Sequence, residues 1–480
     1  MKAFFSTTKG KIVAECLLAL VTGCVLALVL QGLFGDEFST REQARVYAPV
    51  AGIEYGAGRR DDIRVMLIDD AALAAAGQVW PARYAYSARL LGALAQYRPK
   101  AVFVDVYFQA ERDDPSLPAL LRTLCELRAQ GIPLFLASAR DGAGRDALRP
   151  EIEALAGKCF DKVAIHFAPD EIDLNAWTYP LSMPPEGGAR PLATAAQALY
   201  GAAAGTLAVV DPHPLALTWG SRAPRQGVAW HLDGPDAPSY CRASHGLAEL
   251  LPPGLRDALY GDADKPLCVF HETLSAADLA RADADDEARL RSEIGGRIVL
   301  VGLNTASSND FVHSPLHGRI PGVYLHAMAL DNLLVHGDDY PQHVRFGVGS
   351  GGLVLFLLCA MTAVIVAPKL LRLRLGGHHR AVRALGEPFE FVMAEVLPGP
   401  GKGRAAARVA ALVGLWTIRF IAMAATGYSL VWIGQHWFGL GVLSAVGVIF
   451  LTLFAEWSDL NRKIRHCLFA HPAPPVPPSS

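Results

Sequence analysis

Four stretches of this chain, residues 12–34, 345–367, 409–433 and 437–455, are each apolar over close to the length a membrane crossing requires, roughly 20 residues for a helix. No other feature constrains the fold as much, because everything between the stretches must fold in water. The composition agrees: 52% of residues are hydrophobic and only 19% are charged, a low-charge balance for a soluble protein. Lys2, Lys9 and Lys11 precede the first stretch, as in a secretory signal. Its apolar run is longer than a signal core, and no small-x-small site convinces between Gly32 and Phe38, so it reads as a retained anchor.

Lysine and arginine gather again at Lys369, Arg372, Arg374, Arg380, Arg383, Lys402, Arg404 and Arg408, and at Arg462, Lys463 and Arg465. All three basic clusters are cytoplasmic only if the chain crosses four times with both termini inside. The expected order is a cytoplasmic N-terminus at 1–11, a span at 12–34, a periplasmic domain at 35–344 and a span at 345–367. A basic cytoplasmic loop at 368–408, spans at 409–433 and 437–455, and a proline-rich tail at 456–480 follow. This is the layout of a bacterial inner-membrane protein whose surroundings include the lipid bilayer. The net charge of −2 conceals an acidic domain and basic flanks, and an acidic domain argues against a nucleic-acid partner.

Between the first two spans the pattern is that of an α/β domain with a mostly parallel sheet. Apolar runs at 63–68, 101–108, 133–137, 162–167 and 297–302 read as buried strands, alternating with helical spacing at 84–97, 116–130 and 144–157. Helices are also expected at 192–201 and from Val323 to about Val335. The stretch 168–290 is rich in Pro and Gly and yields no topology. Cys125, Cys159, Cys241 and Cys268 fall in the oxidising compartment, so disulfides are expected. Four cysteines allow three pairings; nearness in sequence favours Cys125 with Cys159 and Cys241 with Cys268.

Three segments carry a resemblance: VMLIDDAALAAAGQVWPARYAYSARLL, RPKAVFVDVYF and GGRIVLVGLNTASSNDFVHSPLHGRIPGVYLHAMALDNLL. Together they resemble the CHASE type 2 domain, an extracytoplasmic sensory module of bacterial receptors, over about residues 45–340. The resemblance implies one span before the module and three after it. Family members continue into a cyclase or kinase output, whereas here the sequence ends at Ser480. That difference leads to the expectation of a non-enzyme that signals through a separate protein partner and forms a homo-oligomer, a dimer for example. The alternative is a structural subunit of an envelope or secretion assembly that uses the domain as a protein-binding surface.

Each candidate ligand residue has a functional and a structural reading. Asp69 and Asp70 close the first strand at its carboxyl end, where ligands of open α/β sheets bind, and they suit a helix cap equally well. Trp80, Pro81 and Arg83 form a turn that starts the next helix, with proline at its first position. Asp105 lies inside an apolar strand and needs a partner, for which Arg83 and Arg319 are the candidates. Asn304, Thr305, Ser307, Ser308, Asn309 and Asp310 crowd the loop after a buried strand; they could hold a ligand or satisfy their own turn. The spacing of His313, His317 and His326 is too loose for a metal motif, and no cofactor is expected. No G-x-S-x-G, H-E-x-x-H or P-loop occurs. Arg419 sits inside the third span, where a cation costs roughly 2.5–3.5 kcal/mol, so a polar partner in the bundle is expected.

Overall fold

A computed structural model of the protein describes residues 36–140, 146–183, 191–205, 213–224, 241–262, 264–281, 284–308, 310–343 and 402–443, with a few positions between 356 and 392. The expected span at 12–34, most of those at 345–367 and 437–455, the tail and Asn309 lie outside the described residues. Contacts divide the chain into two units, one from Ala44 to His343 and one comprising the remainder.

The first unit is built on β1 (Ile63–Asp69), β2 (Ala101–Val104), β3 (Leu134–Arg140), β4 (Asp161–Ala164), β5 (Thr273–Ser275) and β6 (Ile298–Asn304). They form a parallel sheet in the order β5-β1-β6-β2-β3-β4, and the two-residue strand Asp146–Ala147 runs antiparallel on β3. Every residue of β6 is buried, as expected of a strand covered on both faces. Alternation then sorts its side chains: Val299, Val301 and Leu303 enter one core, and Ile298 and Leu300 the other.

The first core is closed by α2 (Tyr84–Gln96), α3 (Leu117–Ala129) and α6 (Ala284–Ile294). On α2 the buried residues Tyr84, Ala88, Leu91 and Ala95 recur at helical spacing and form the stripe that faces the sheet. The second core is closed by α4 (Ala195–Ala203) and α7 (Val323–His336). All residues from Val323 to Leu333 are buried, so α7 is an interior helix. At its start it approaches β6 so closely that a Cβ on Gly302 would overlap the Val323 side chain. Before the sheet comes α1 (Asp36–Tyr55).

Several local expectations are corrected. The second strand ends at Val104, so Asp105 lies just beyond it, with its N–H donating to the Val301 carbonyl at 2.8 Å. Of the expected helix at 144–157, the described residues 146–157 hold only a four-residue helix, Pro150–Glu153, next to the Asp146–Ala147 strand. The long loop after β6 contains an antiparallel hairpin, β7 (Phe311–Ser314) with β8 (Gly318–Pro321). Helix α2 starts at Tyr84 and not at Pro81, because Asp114 and Ser116 accept the Tyr84 and Ala85 N–H groups at 2.7 and 2.9 Å. Within 168–290, short strand pairs join 178–179 to 215–216 and 182–183 to 192–193, and α5 spans Pro253–Tyr260. Disulfides join Cys125 to Cys159 and Cys241 to Cys268.

In the second unit, α8 (Lys402–Phe438) contains an apolar segment, Ala405–Phe438, of 34 residues and mean hydropathy 1.8. Its Val409, Val413, Ile418, Phe420 and Ile421 are exposed while Arg419 is buried, the reverse of a helix folded in water. The Arg419 guanidinium lies 5.1 Å from the centre of the Trp416 ring.

Because Gly302 and Val323 touch without clearance, Gly302→Ala is expected to destabilise the domain by about 1–3 kcal/mol through overpacking. Chemical denaturation of both proteins measures it; an unchanged midpoint would mean that α7 moves away without cost.

Candidate functional site

The site is fixed by where the chain turns after each strand. The helices that follow β1 and β2 pack on the first core, whereas α7, which follows β6, packs on the second. Strand β6 lies between β1 and β2, so at its carboxyl end the connections leave on opposite faces of the sheet. Open α/β sheets hold their ligands in the crevice at such a switch point. Asn304 ends β6, Asp69 ends β1 opposite it, and Asp105 follows β2.

The candidates separate into two groups. Asp69 caps the short helix Asp70–Ala75, accepting the Ala72 N–H at 2.6 Å, and also receives the Ser275 hydroxyl at 3.1 Å. Asp70 accepts the Ala306 N–H at 2.9 Å and so ties this helix to the loop after β6. In that loop the Ser308 hydroxyl donates to the Thr305 carbonyl at 3.2 Å, and the Thr305 and Ser307 hydroxyls lie 3.4 Å apart. These groups satisfy their own turn, in line with the structural reading.

The second group is buried and carries charge. Residues at 63, 65 and 67 and at 101 and 103 face the second core, as do 298 and 300; by alternation Asn304 and Asp105 project to that same side. His326 of α7 meets Asp105 there, with Nε2 3.7 Å from Oδ2, while its Nδ1 is 2.8 Å from the Tyr179 hydroxyl. Its ring packs edge-on against Phe103 at 5.4 Å. Asp310 enters at the start of α7: its carbonyl accepts the Gly322 N–H at 3.0 Å, and a Cβ on Gly322 would collide with its carboxylate. Burial, reinforced by the neighbouring Asp310, holds the Asp105 carboxyl well above the usual range, and burial pushes Asp310 up to about 6. Burial also pulls His326 down to about 3, so it faces Asp105 as a neutral ring and not as a counter-ion.

The arginines expected to pair with Asp105 do not do so. Arg83 is exposed, with its backbone N–H bonded to the Gln78 side chain. Arg319 is exposed and lies over the Phe311 ring at 3.9 Å. Both are long side chains that keep their charged heads in water. The three histidines occupy separate environments: His313 is exposed, His317 bonds the Gly220 carbonyl at 3.0 Å, and His326 is in the cluster.

A second buried polar centre, absent from the sequence reading, lies further along α7. Asp331 is fully buried and accepts three donors: the Tyr55 hydroxyl, the Arg59 N–H at 3.1 Å, and His271 Nε2 at 3.3 Å. Burial, then Asp331, raises the Tyr55 hydroxyl well above its usual value. The signal was there to find: Asp331 and Asn332 interrupt an otherwise apolar helical run, and buried polar groups need partners.

Comparison with known families matches the CHASE2 domain over residues 17–367. The chain belongs to the CHASE2 family. CHASE2 domains are extracytoplasmic sensory domains, which accounts for an acidic, disulfide-bonded α/β unit in a chain with an apolar helix of membrane-crossing length. No curated protein and no solved structure matches the chain. In this CHASE2 domain the switch-point geometry singles out the carboxyl end of the central strands.

A buried histidine titrates against the fold. Burial pulls His317 down to about 4, below the roughly 6.5 of an unfolded histidine. Its contribution is therefore present above pH 6.5 and lost as pH falls through about 4. Thermal melts between pH 7 and 4 are expected to show stability falling in that window, less steeply in His317→Asn. Parallel profiles would remove His317 as a cause.

Proposed function

We propose that this chain is an inner-membrane sensory protein whose CHASE2 domain receives a stimulus at the carboxyl end of β6 and whose α7 passes it to the membrane. In this reading the chain spans the bilayer at 12–34, 345–367, 409–433 and 437–455, with both termini cytoplasmic. The spans relay the change to a protein partner that carries the output, and the receptor works as a homo-oligomer. Its own chemistry is binding, since the sequence offers no catalytic motif.

One observation carries this reading. A single interior helix holds both polar centres: α7 presents His326 to the switch-point cluster and Asp331 to Tyr55 and Arg59. Tyr55 ends α1, which follows the first apolar stretch in sequence, and α7 ends at His336, shortly before the second. A small displacement of α7 would therefore reach the segments leading to both spans. Packed helices shift between discrete arrangements and do not deform continuously, which suits such a role.

A second reading has an observation of its own. The stretch between Cys241 and Cys268 is held by its disulfide and by Arg242 and Arg256 on the buried Glu249. It exposes Leu247, Leu255, Leu259 and Tyr260, which favours a protein-binding surface in an envelope assembly.

Affinity purification of the full-length protein from native membranes in mild detergent tests both. The sensory reading expects a signalling enzyme or regulator to co-purify, and expects Tyr55→Phe to alter its output without releasing it. An envelope component in fixed ratio, with Tyr55→Phe silent, would replace that reading with the structural one.

A further inference from the structure

Resting on the switch-point cluster as the receiving site, we propose that Asp105, Asp310 and the Asn304 side-chain oxygen bind a hard divalent cation, Ca2+ or Mg2+. Three observations lead there. First, the cluster contains oxygen acceptors without donors. Asp105 Oδ2 and Asn304 Oδ1 are both buried and have no hydrogen-bond partner among the described residues. Buried oxygens in that state cost on the order of 1–3 kcal/mol each, and they persist where a ligand supplies what the protein does not.

Second, the two oxygens belong together. The Asp105 N–H bonds the Val301 carbonyl and so continues the β2–β6 register, in which Val104 pairs with Val301. Asp105 therefore stands opposite Gly302, and Asn304 is the next residue of β6 on that same face. Same-face diagonal neighbours on adjacent strands lie about 7–8 Å apart at Cα, within reach of a shared ion.

Third, among the described residues no cationic side chain answers the two carboxyl groups. The ionisable groups acting on Asp105 are Asp310, which is close enough to repel it, and His326, which is held neutral. Tyr107 feels both carboxylates, whereas Arg83 and Arg319 point to solvent. Ionising both aspartates in this setting requires a positive charge from outside the protein. A single proton between the carboxyl groups would relieve their repulsion but leave the Asn304 oxygen unsatisfied. Carboxylate and amide oxygens with water completing the shell are the ligands of Ca2+ and Mg2+, not of zinc. Tyr107, which is 55% exposed, marks the solvent side through which an ion would enter. The histidine spacing gave no hint of this, because the oxygen ligands come from separate strands and the helix entry.

The test is calorimetric titration of full-length, chelator-treated protein in detergent with CaCl2 and with MgCl2, together with thermal melts at pH 7.5. Wild type is expected to bind one of the two ions with a dissociation constant of about 10⁻⁴–10⁻³ M, the range of extracellular calcium modules, and to melt higher when loaded. Asp310→Asn is expected to weaken binding at least tenfold, yet to melt no lower than wild type without metal, because it removes a buried charge. Asp105→Asn should behave alike. These paired signs distinguish lost ligation from damaged folding. Binding unchanged in both variants would overturn the assignment of the site. Absence of binding to wild type would overturn the cation itself; if Asp310→Asn then still altered the co-purified partner's output, the sensory reading would survive with another stimulus.

Discussion

Strand β6 comes from the end of the extracytoplasmic domain and inserts between β1 and β2, so the two ends of the domain must meet before its sheet is complete. All seven of its residues are buried, and its neighbours contribute Val65, Leu67, Val102 and Val104 to the same two cores. Burial of this kind stabilises by roughly 25 cal/mol per Å² of apolar surface, which sets register and strand order together. The choice of face after β6 then follows. With α2 and α3 already covering one side, α7 covers the other, and the reversal creates a crevice at the carboxyl end of the central strands.

Helix α7 departs from an ordinary interior helix in what it buries. His326, Asp331 and Asn332 would each be unfavourable in an apolar core. Asn332 is satisfied by exchange with the Thr218 backbone and by the Met328 carbonyl, and Asp331 by three donors from two segments. These bonds fix the helix in one position and make that position sensitive to its partners. The incompletely satisfied cluster lies at the other end, around Asp105. A helix fully paired around Asp331 and under-paired around Asp105 is suited to respond to an added ligand.

The sheet was legible where local pattern and tertiary environment agree. IRVMLI and RIVLVG are short, apolar and β-branched, and each became a central strand; α2 and α3 followed from their 3–4 spacing. Residues 144–157 show helical spacing, but among the described ones only Pro150–Glu153 is helical, since the chain there turns back along β3. The hairpin Phe311–Pro321 was hidden because His313 and Arg319 alternate with apolar residues over only four positions per strand. At the site, Asp105, Asn304 and Asp310 were visible as carboxyl-end residues of strands and loops. Their partners were not: reasoning from charge selected Arg83 and Arg319, whereas the fold brings a neutral histidine from a helix more than 200 residues away. Asp331 was missed because nothing local to it reveals Tyr55 or Arg59.

The central claim is that α7 connects the switch-point cluster to the segment bearing Tyr55 and Arg59. Amide hydrogen exchange at Arg59, whose N–H is held by Asp331, reads that connection directly in the full-length protein. Replacing His326 with Ala at the far end of α7 is predicted to lower protection at Arg59 and its neighbours. Unchanged protection at Arg59, with exchange altered only around Asp105 and the loop after β6, would contradict the account.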